Sequence, residues 1–433
     1  QVEASGVDDY FKAMTANAIL LSEEERKELI TASLKAVSSE IGAEPSLTNT
    51  LLHEIANNLE HPAPVLGQFP DEFLALPREI LETTIVEHQK FVPFVVGDKP
   101  SQYFVGFRDG SDGSDQLVKE GYERVVKARL RDSQFFFDED RKTTLAERTQ
   151  ILRRVVYQEK LGSIWDKTDR MRRIAAEIAS RCGFDFTEEI DRTLFLCKAD
   201  LLTTMVGEFP ELEGIVGGLY AELEGEPQSV ARGIYEHYKP KSAHDTLPES
   251  ETGLVASLAD KLDTVMGSLL IGAEVTGSRD PFGLRRRANG VIRMALAREL
   301  DIDFFDLIDS LTSLYEFLGD ELDIDRVKGF FTERLKADLR EEQKIAYDIV
   351  DAVAAASDGD FTRALRRARA LESIRTQEQF QSLVVAFERV CNITRKEQIT
   401  GEFDAELFHE DVERDLWKAV RKAEGQIEQL RPQ

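Results

Sequence analysis

Three aspartates carry the first chemistry this sequence suggests. Asp260 and Asp263 lie three residues apart in SLADKLDTVMGSLL, so a helix there puts both carboxylates on one face, and Asp200 closes the upstream run KAD. Paired carboxylates suit a divalent cation, but aspartates without imidazole are a poor set for one. Histidines 53, 61, 88, 237, 244 and 409 are scattered with no HExxH spacing. His244-Asp245 falls in the Pro- and Ser-bearing run KSAHDTLPESE, outside any apolar helix, and His88 and His237 sit in -EH- pairs of the kind used for structural hydrogen bonding. There is no GxxxxGK[ST] loop and no GxSxG elbow. No residue is therefore assigned as catalytic or metal-binding, and catalysis is expected of a partner chain.

The second chemistry is anion binding. Thr276 to Arg298 holds six arginines against one aspartate. Asp280 is expected to cap a helix there, with Pro281 in its first turn. Leu284, Ala288, Val291 and Ala295 make one apolar face, Arg286 and Arg293 project opposite, and Arg285 and Arg287 flank them. A second island, Gly121 to Arg173, has fourteen Lys and Arg against nine acids; Arg124, Lys127, Arg129 and Arg131 lead there into Phe135, Phe136 and Phe137. The third carries Arg363, Arg366, Arg367 and Arg369. Each island reads either as a solvated face with ordinary ion pairs or as a set of donors for RNA phosphates, for which the planar guanidinium is well suited. The phenylalanines read as a base-stacking platform or as core, with at least two rings expected in the core.

These islands sit on an acidic body of net charge −26, a pattern that fits a protein meeting RNA at chosen places. No run of about 18 apolar residues exists, so no membrane span is expected. Cys182, Cys197 and Cys391 lack metal-ligand or disulfide spacing, which makes a reducing, cytoplasmic compartment the default. Residues 1–150 read as mixed α/β. Ser22 is a candidate cap for a helix bearing Leu29, Ile30, Leu34 and Val37; a helix follows over Thr48 to Leu59, and GDK joins two strand-like runs as a hairpin. Residues 151–300 read as helical almost throughout, with one long helix ending at Gly183 and another from TEEID to Pro210. Residues 301–380 form an acidic helical tail broken at Asp358-Gly359, and 381–433 start a further helical domain. The expected class is α+β, predominantly helical.

ADKLDT, followed by TGSRDPFGLRR and GVIR, resembles the most distinctive run in the β subunit of the bacterial-type, heterotetrameric glycyl-tRNA synthetase. EHQKFVPF, RVVKARLRDSQFFFDEDRK and QFQSLVVAFERVCNI resemble further blocks in the same order, so the resemblance covers roughly Leu51 to Ile393. It implies a first region similar to a tRNA-interacting body domain of the phenylalanyl enzyme's β chain. It also implies a helical region like the HD phosphohydrolases and the start of an anticodon-binding domain. In the HD pattern Lys198-Ala199-Asp200 replaces His-Asp, so Asp200 and Asp260 are the surviving positions of a degenerate metal motif. Lys198 is expected to neutralise one of them. The implied function is tRNA binding in ATP-dependent attachment of glycine to tRNA(Gly), with ATP and Mg²⁺ at a catalytic α chain and no cofactor in this one. The implied assembly is α2β2 or a fused αβ dimer. Gln1 and the missing downstream blocks suggest a fragment, without an N-terminal segment and most of the anticodon-binding domain. A metal-dependent HD phosphohydrolase and an acidic helical scaffold without an RNA role are the alternatives.

Overall fold

The computed structural model describes residues 6–110, 115–276, 279–319, 322–394 and 408–430. Helices α1 (Val7–Ala16) and α2 (Glu23–Ile41) precede strand β1 (Glu44–Pro45), and α3 (Asn49–Asn58) leads to β2 (Pro62–Gln68). After α4 (Arg78–Val86), β3 (Val92–Val96) and β4 (Lys99–Asp109) form the expected hairpin. Gly97 has φ 60°, the left-handed conformation that glycine adopts without strain. The sheet is antiparallel in the order β1-β3-β4-β2. Strand alternation sends Val92, Phe94, Val105 and Phe107 to one face, where they meet Ile30, Leu34, Leu51 and Ile55 of α2 and α3. On the other face Phe104 stacks on Phe91 at 5.3 Å. A Cβ at Gly106 would stand 2.6 Å from the Tyr122 ring and 2.7 Å from Phe91, so only glycine lets these rings close on the strand. As expected, Ser22 caps α2, and Thr48 caps α3.

Helix α5 (Asp115–Asp140) crosses that second face. The chain then becomes helical. It passes through α6 (Leu145–Ile151), the short hairpin β5 (Val156–Gln158) and β6 (Gly162–Ser163), α7 (Ile164–Cys182) and α8 (Glu188–Leu196). Next come α9 (Thr204–Glu208), α10 (Ile215–Leu223), α11 (Gln228–Glu236) and α12 (Glu251–Leu270). Ser163 and Asp166 close a capping box on α7, and Gly183 in the left-handed region ends it. Helix α12 is the centre of this region: every residue from Thr252 to Leu269 is buried, the charged Asp260, Lys261 and Asp263 included. Helices α7, α8, α11, α13 (Leu284–Ala297) and α15 (Ile324–Glu341) pack on it. The helix expected to run from TEEID to Pro210 is instead broken into α8, a 3₁₀ turn over Ala199–Leu202, and α9. The buried Asp140 carboxylate accepts from Thr204 N at 2.8 Å and Met205 N at 2.9 Å, so a tertiary cap starts a new helix within that segment.

Helices α14 (Phe304–Leu311), α16 (Tyr347–Ala355) and α17 (Phe361–Ile374) complete the acidic tail, with the break at Gly359, φ 92°. Contacts divide the chain after Ala368, inside α17. The second unit contains α18 (Glu378–Thr394) and α19 (Asp411–Leu430); Leu383, Phe387 and Val390 of α18 are exposed. Among the described residues, no helix is long and apolar enough to cross a membrane.

Candidate functional site

Charge gathers at four places in the first unit. The first is on α12, which presents Asp260 and Asp263 to α7. Lys167 Nζ lies 3.1 Å from Asp260 Oδ1 and 3.0 Å from Asp263 Oδ2, and donates to Thr264 Oγ1 at 2.8 Å. Arg170 Nε and the Tyr315 hydroxyl donate to Asp263 Oδ1 at 2.6 Å and 2.9 Å. Lys198 Nζ stands 3.2 Å from Asp260 Oδ1 and 3.0 Å from His237 Nε2, and Arg287 Nη1 reaches Asp260 Oδ2 at 3.3 Å. All these groups are buried except Arg287, which is half-buried. Lys198 thus neutralises Asp260 as the sequence suggested.

Burial would raise the Asp260 carboxyl, but Lys167, Lys198 and Arg287 outweigh it and hold the group well below the usual carboxylate range. Asp263 is lowered in the same way by Lys167 and Arg170. Burial, reinforced by Lys198, holds His237 well below the ordinary imidazole value, so the ring is neutral. Its Nδ1–H donates to Ile234 O and its Nε2 accepts from Lys198. Asp200 is turned elsewhere, accepting from Gly214 N at 2.7 Å at the start of α10, and burial pushes it up to about 6. Two ammonium groups therefore already neutralise Asp260, and the neighbouring imidazole is engaged. Among the described residues, no three His, Cys, Asp or Glu converge as a metal set.

Lys167, Arg170 and His237 were not singled out as members of this site. The signal for Lys167 was present: with Met171, Ile174 and Ile178 it lies on the apolar face of α7, where a charge needs a buried partner.

The arginines of α13 are mostly spent inside the fold. The helix starts at Leu284, and Pro281 lies in the turn before it rather than in its first turn. Asp280 still supplies the cap, accepting from Leu284 N at 2.7 Å and Arg285 N at 3.0 Å across that turn. Arg285 donates to Thr276 O, and Arg287 is tied to Asp260. Arg293 donates to Ser242 O and Asp245 O, both at 3.1 Å, pinning the loop that holds His244-Asp245. The expected pair of outward arginines thus reduces to Arg286, because this loop covers Arg293. The third island is met by acids. Arg363 pairs with Asp358 at 2.6 Å and Asp360 at 3.1 Å, Arg366 with Glu299 at 2.8 Å, and Arg367 donates to Ala356 O at 3.2 Å.

Helix α5 differs. Arg129 lies 3.5 Å from Glu208, but Arg124, Lys127 and Arg131 make no hydrogen bond or ion pair among the described residues. At spacings of three and four residues they share one face, which continues to Phe135, 60% exposed. The stripe from Arg124 to Phe135 is about 16 Å long at 1.5 Å per residue. Of the three phenylalanines only Phe137 is buried; Phe136 is half-buried. The expectation of at least two core rings fails because successive side chains on a helix turn by about 100°, and the core face here is Val126, Leu130, Ser133 and Phe137.

Comparison with known proteins decides the family. The glycyl-tRNA synthetase beta subunit family matches residues 1–355. The chain belongs to this family. It is 34% identical over 432 residues to the glycine–tRNA ligase beta subunit of Clostridioides difficile strain 630, covering 99% of this chain and 62% of that one. With the Desulfitobacterium hafniense Y51 subunit it shares 38% over 400 residues, 90% of this chain and 58% of the relative. For Trichlorobacter lovleyi the figures are 38% over 418 residues, 95% and 60%. The chain thus spans about 60% of the length of these curated relatives. Family membership accounts for the order of the sequence blocks. The geometry adds that the basic islands differ in how far their charge is already committed.

Proposed function

We propose that this chain is the tRNA-binding β subunit of a glycine–tRNA ligase, supporting ATP-dependent attachment of glycine to tRNA(Gly) by a catalytic α subunit. ATP, Mg²⁺ and glycine are held by that α subunit, in an α2β2 or fused αβ assembly in the cytoplasm. The observation that carries the RNA-binding part is the α5 face. There Arg124, Lys127 and Arg131 make no hydrogen bond or ion pair among the described residues and lead to an exposed ring. Cations paired with an aromatic are the donor set that tracks a phosphate backbone and stacks a base. The names of the relatives supply the substrate and the partner.

Metal-dependent phosphohydrolysis is disfavoured by the way Lys167 and Lys198 already neutralise Asp260. The test is reconstitution: charging of tRNA(Gly) is measured for this chain, for an α chain, and for the mixture. Charging by the mixture alone is expected. Glycine-dependent pyrophosphate exchange by this chain alone, or a mixture no better than the α chain, contradicts the reading.

A further inference from the structure

Four cations of the buried cluster, Lys167, Arg170, Lys198 and Arg287, are paired with Asp260 or Asp263. Lys261 is the cation without an ion pair. Its buried ammonium donates to Tyr238 O at 3.1 Å, Lys239 O at 2.8 Å and Ser257 Oγ at 2.9 Å. Gly290 of α13 makes room for it: a Cβ there would stand 3.0 Å from Lys261 Cε. This side of the cluster opens into a cavity of about 450 Å³, lined by Tyr238, Lys241, Lys261, Arg286 and Arg287, with Glu211 and Glu213 on the wall.

Lys241 donates to the carbonyls of Glu211 and Glu213, at 3.4 Å and 2.8 Å. Arg286 has no hydrogen-bond or ion-pair partner among the described residues. Lys241, Lys261 and Arg286 make no ion pair among the described residues. Burial lowers Lys261 to about 7, and an anion entering the cavity supplies the counter-ion that keeps it protonated.

We propose that this cavity binds a phosphate group. Phosphate offers several acceptor oxygens with its charge, which suits the forked donors of Arg286 and the point charge of Lys261. The Tyr238 phenol, kept protonated by burial and by nearby carboxylates, adds a neutral donor. Orthophosphate, a nucleotide and the 5′ end of an RNA all present this group.

Isothermal titration with orthophosphate, ADP, and one short RNA bearing either a 5′-phosphate or a 5′-hydroxyl tests the site on wild type, Arg286→Ala and Lys261→Met. One saturable site is expected, weakened about tenfold or more in Arg286→Ala, since a charge-assisted bond is lost while the exposed residue leaves the fold intact. Binding of orthophosphate or ADP assigns the site to small phosphates. Binding only of the 5′-phosphorylated RNA assigns it to an RNA end. If Lys261→Met fails to fold, Arg286→Ala decides alone. No saturable binding of any phosphate ligand, or equal affinity in wild type and Arg286→Ala, overturns the proposal.

Discussion

Helices α13 and α5 carry similar basic patterns and use them in opposite ways. On α13, Arg285, Arg287 and Arg293 reach backbone carbonyls or the buried Asp260. On α5, Arg124, Lys127 and Arg131 make no hydrogen bond or ion pair among the described residues, and an exposed Phe135 extends their line. A run of arginines reports local charge. Whether that charge is available depends on what the rest of the chain lays over it: the Lys241–Glu249 loop covers one helix, and nothing comparable is described over the other face.

The comparison breaks most sharply at Asp260. If α13 and α7 are clamped through it, Asp260→Ala strands Lys167 and Lys198 in the interior and costs about 3–5 kcal/mol in chemical denaturation. A loss below about 1 kcal/mol, the range of exposed pairs, would mean that the cluster is not a structural clamp. The next effect is in pH. Burial, with Arg287 and Lys198 nearby, lowers Lys261 from 10.5 to about 7, with Asp260 opposing. Between those values the unfolded chain binds more protons than the folded one. Its contribution therefore makes stability rise with pH across that window, by at most about 1.4 kcal/mol per pH unit. Melting curves of wild type against Lys261→Met should converge as pH rises from 7 towards 10.5 if this is right. A constant gap would show that Lys261 keeps its proton. The lowered carboxyls act at the other end: what Asp260 and Asp263 contribute is complete above their unfolded values near 3.8 and is lost as pH falls through their folded values.

Much of this was legible in the sequence. GDK between two strand-like runs marked the β3–β4 hairpin, and the three-residue spacing of Asp260 and Asp263 placed both carboxylates on one face of a helix. The carboxylates' partners were harder to read. Lys167 and His237 lie 93 and 23 residues from Asp260, and only packing brings them together. The arginine wheel on α13 had the right direction but could not show that a distant loop returns over Arg293. The phenylalanine triplet misled for a local reason, since a helix cannot turn three successive rings inward.

On α5, Phe135→Ala should weaken tRNA binding by about 1–3 kcal/mol, the range of one stacked base, without changing its salt dependence. Affinity equal to wild type would remove the ring from the interface. On α13, Arg293→Ala should cost about 0.5–1.5 kcal/mol, the net worth of an ordinary hydrogen bond, and should speed hydrogen exchange in the Lys241–Glu249 loop. Unchanged exchange there would show that the loop holds itself.

The most direct test is the salt dependence of tRNA binding, measured side by side for Arg124→Ala/Arg131→Ala and Arg363→Ala/Arg366→Ala. The first pair makes no ion pair among the described residues, and the second is already neutralised by Asp358, Asp360 and Glu299. The slope of log affinity against log salt should flatten by about two for the α5 pair and hardly move for the α17 pair. Stability of the α5 variant should stay within about 0.5 kcal/mol of wild type. A flattened slope for the α17 pair with none for the α5 pair would contradict the account.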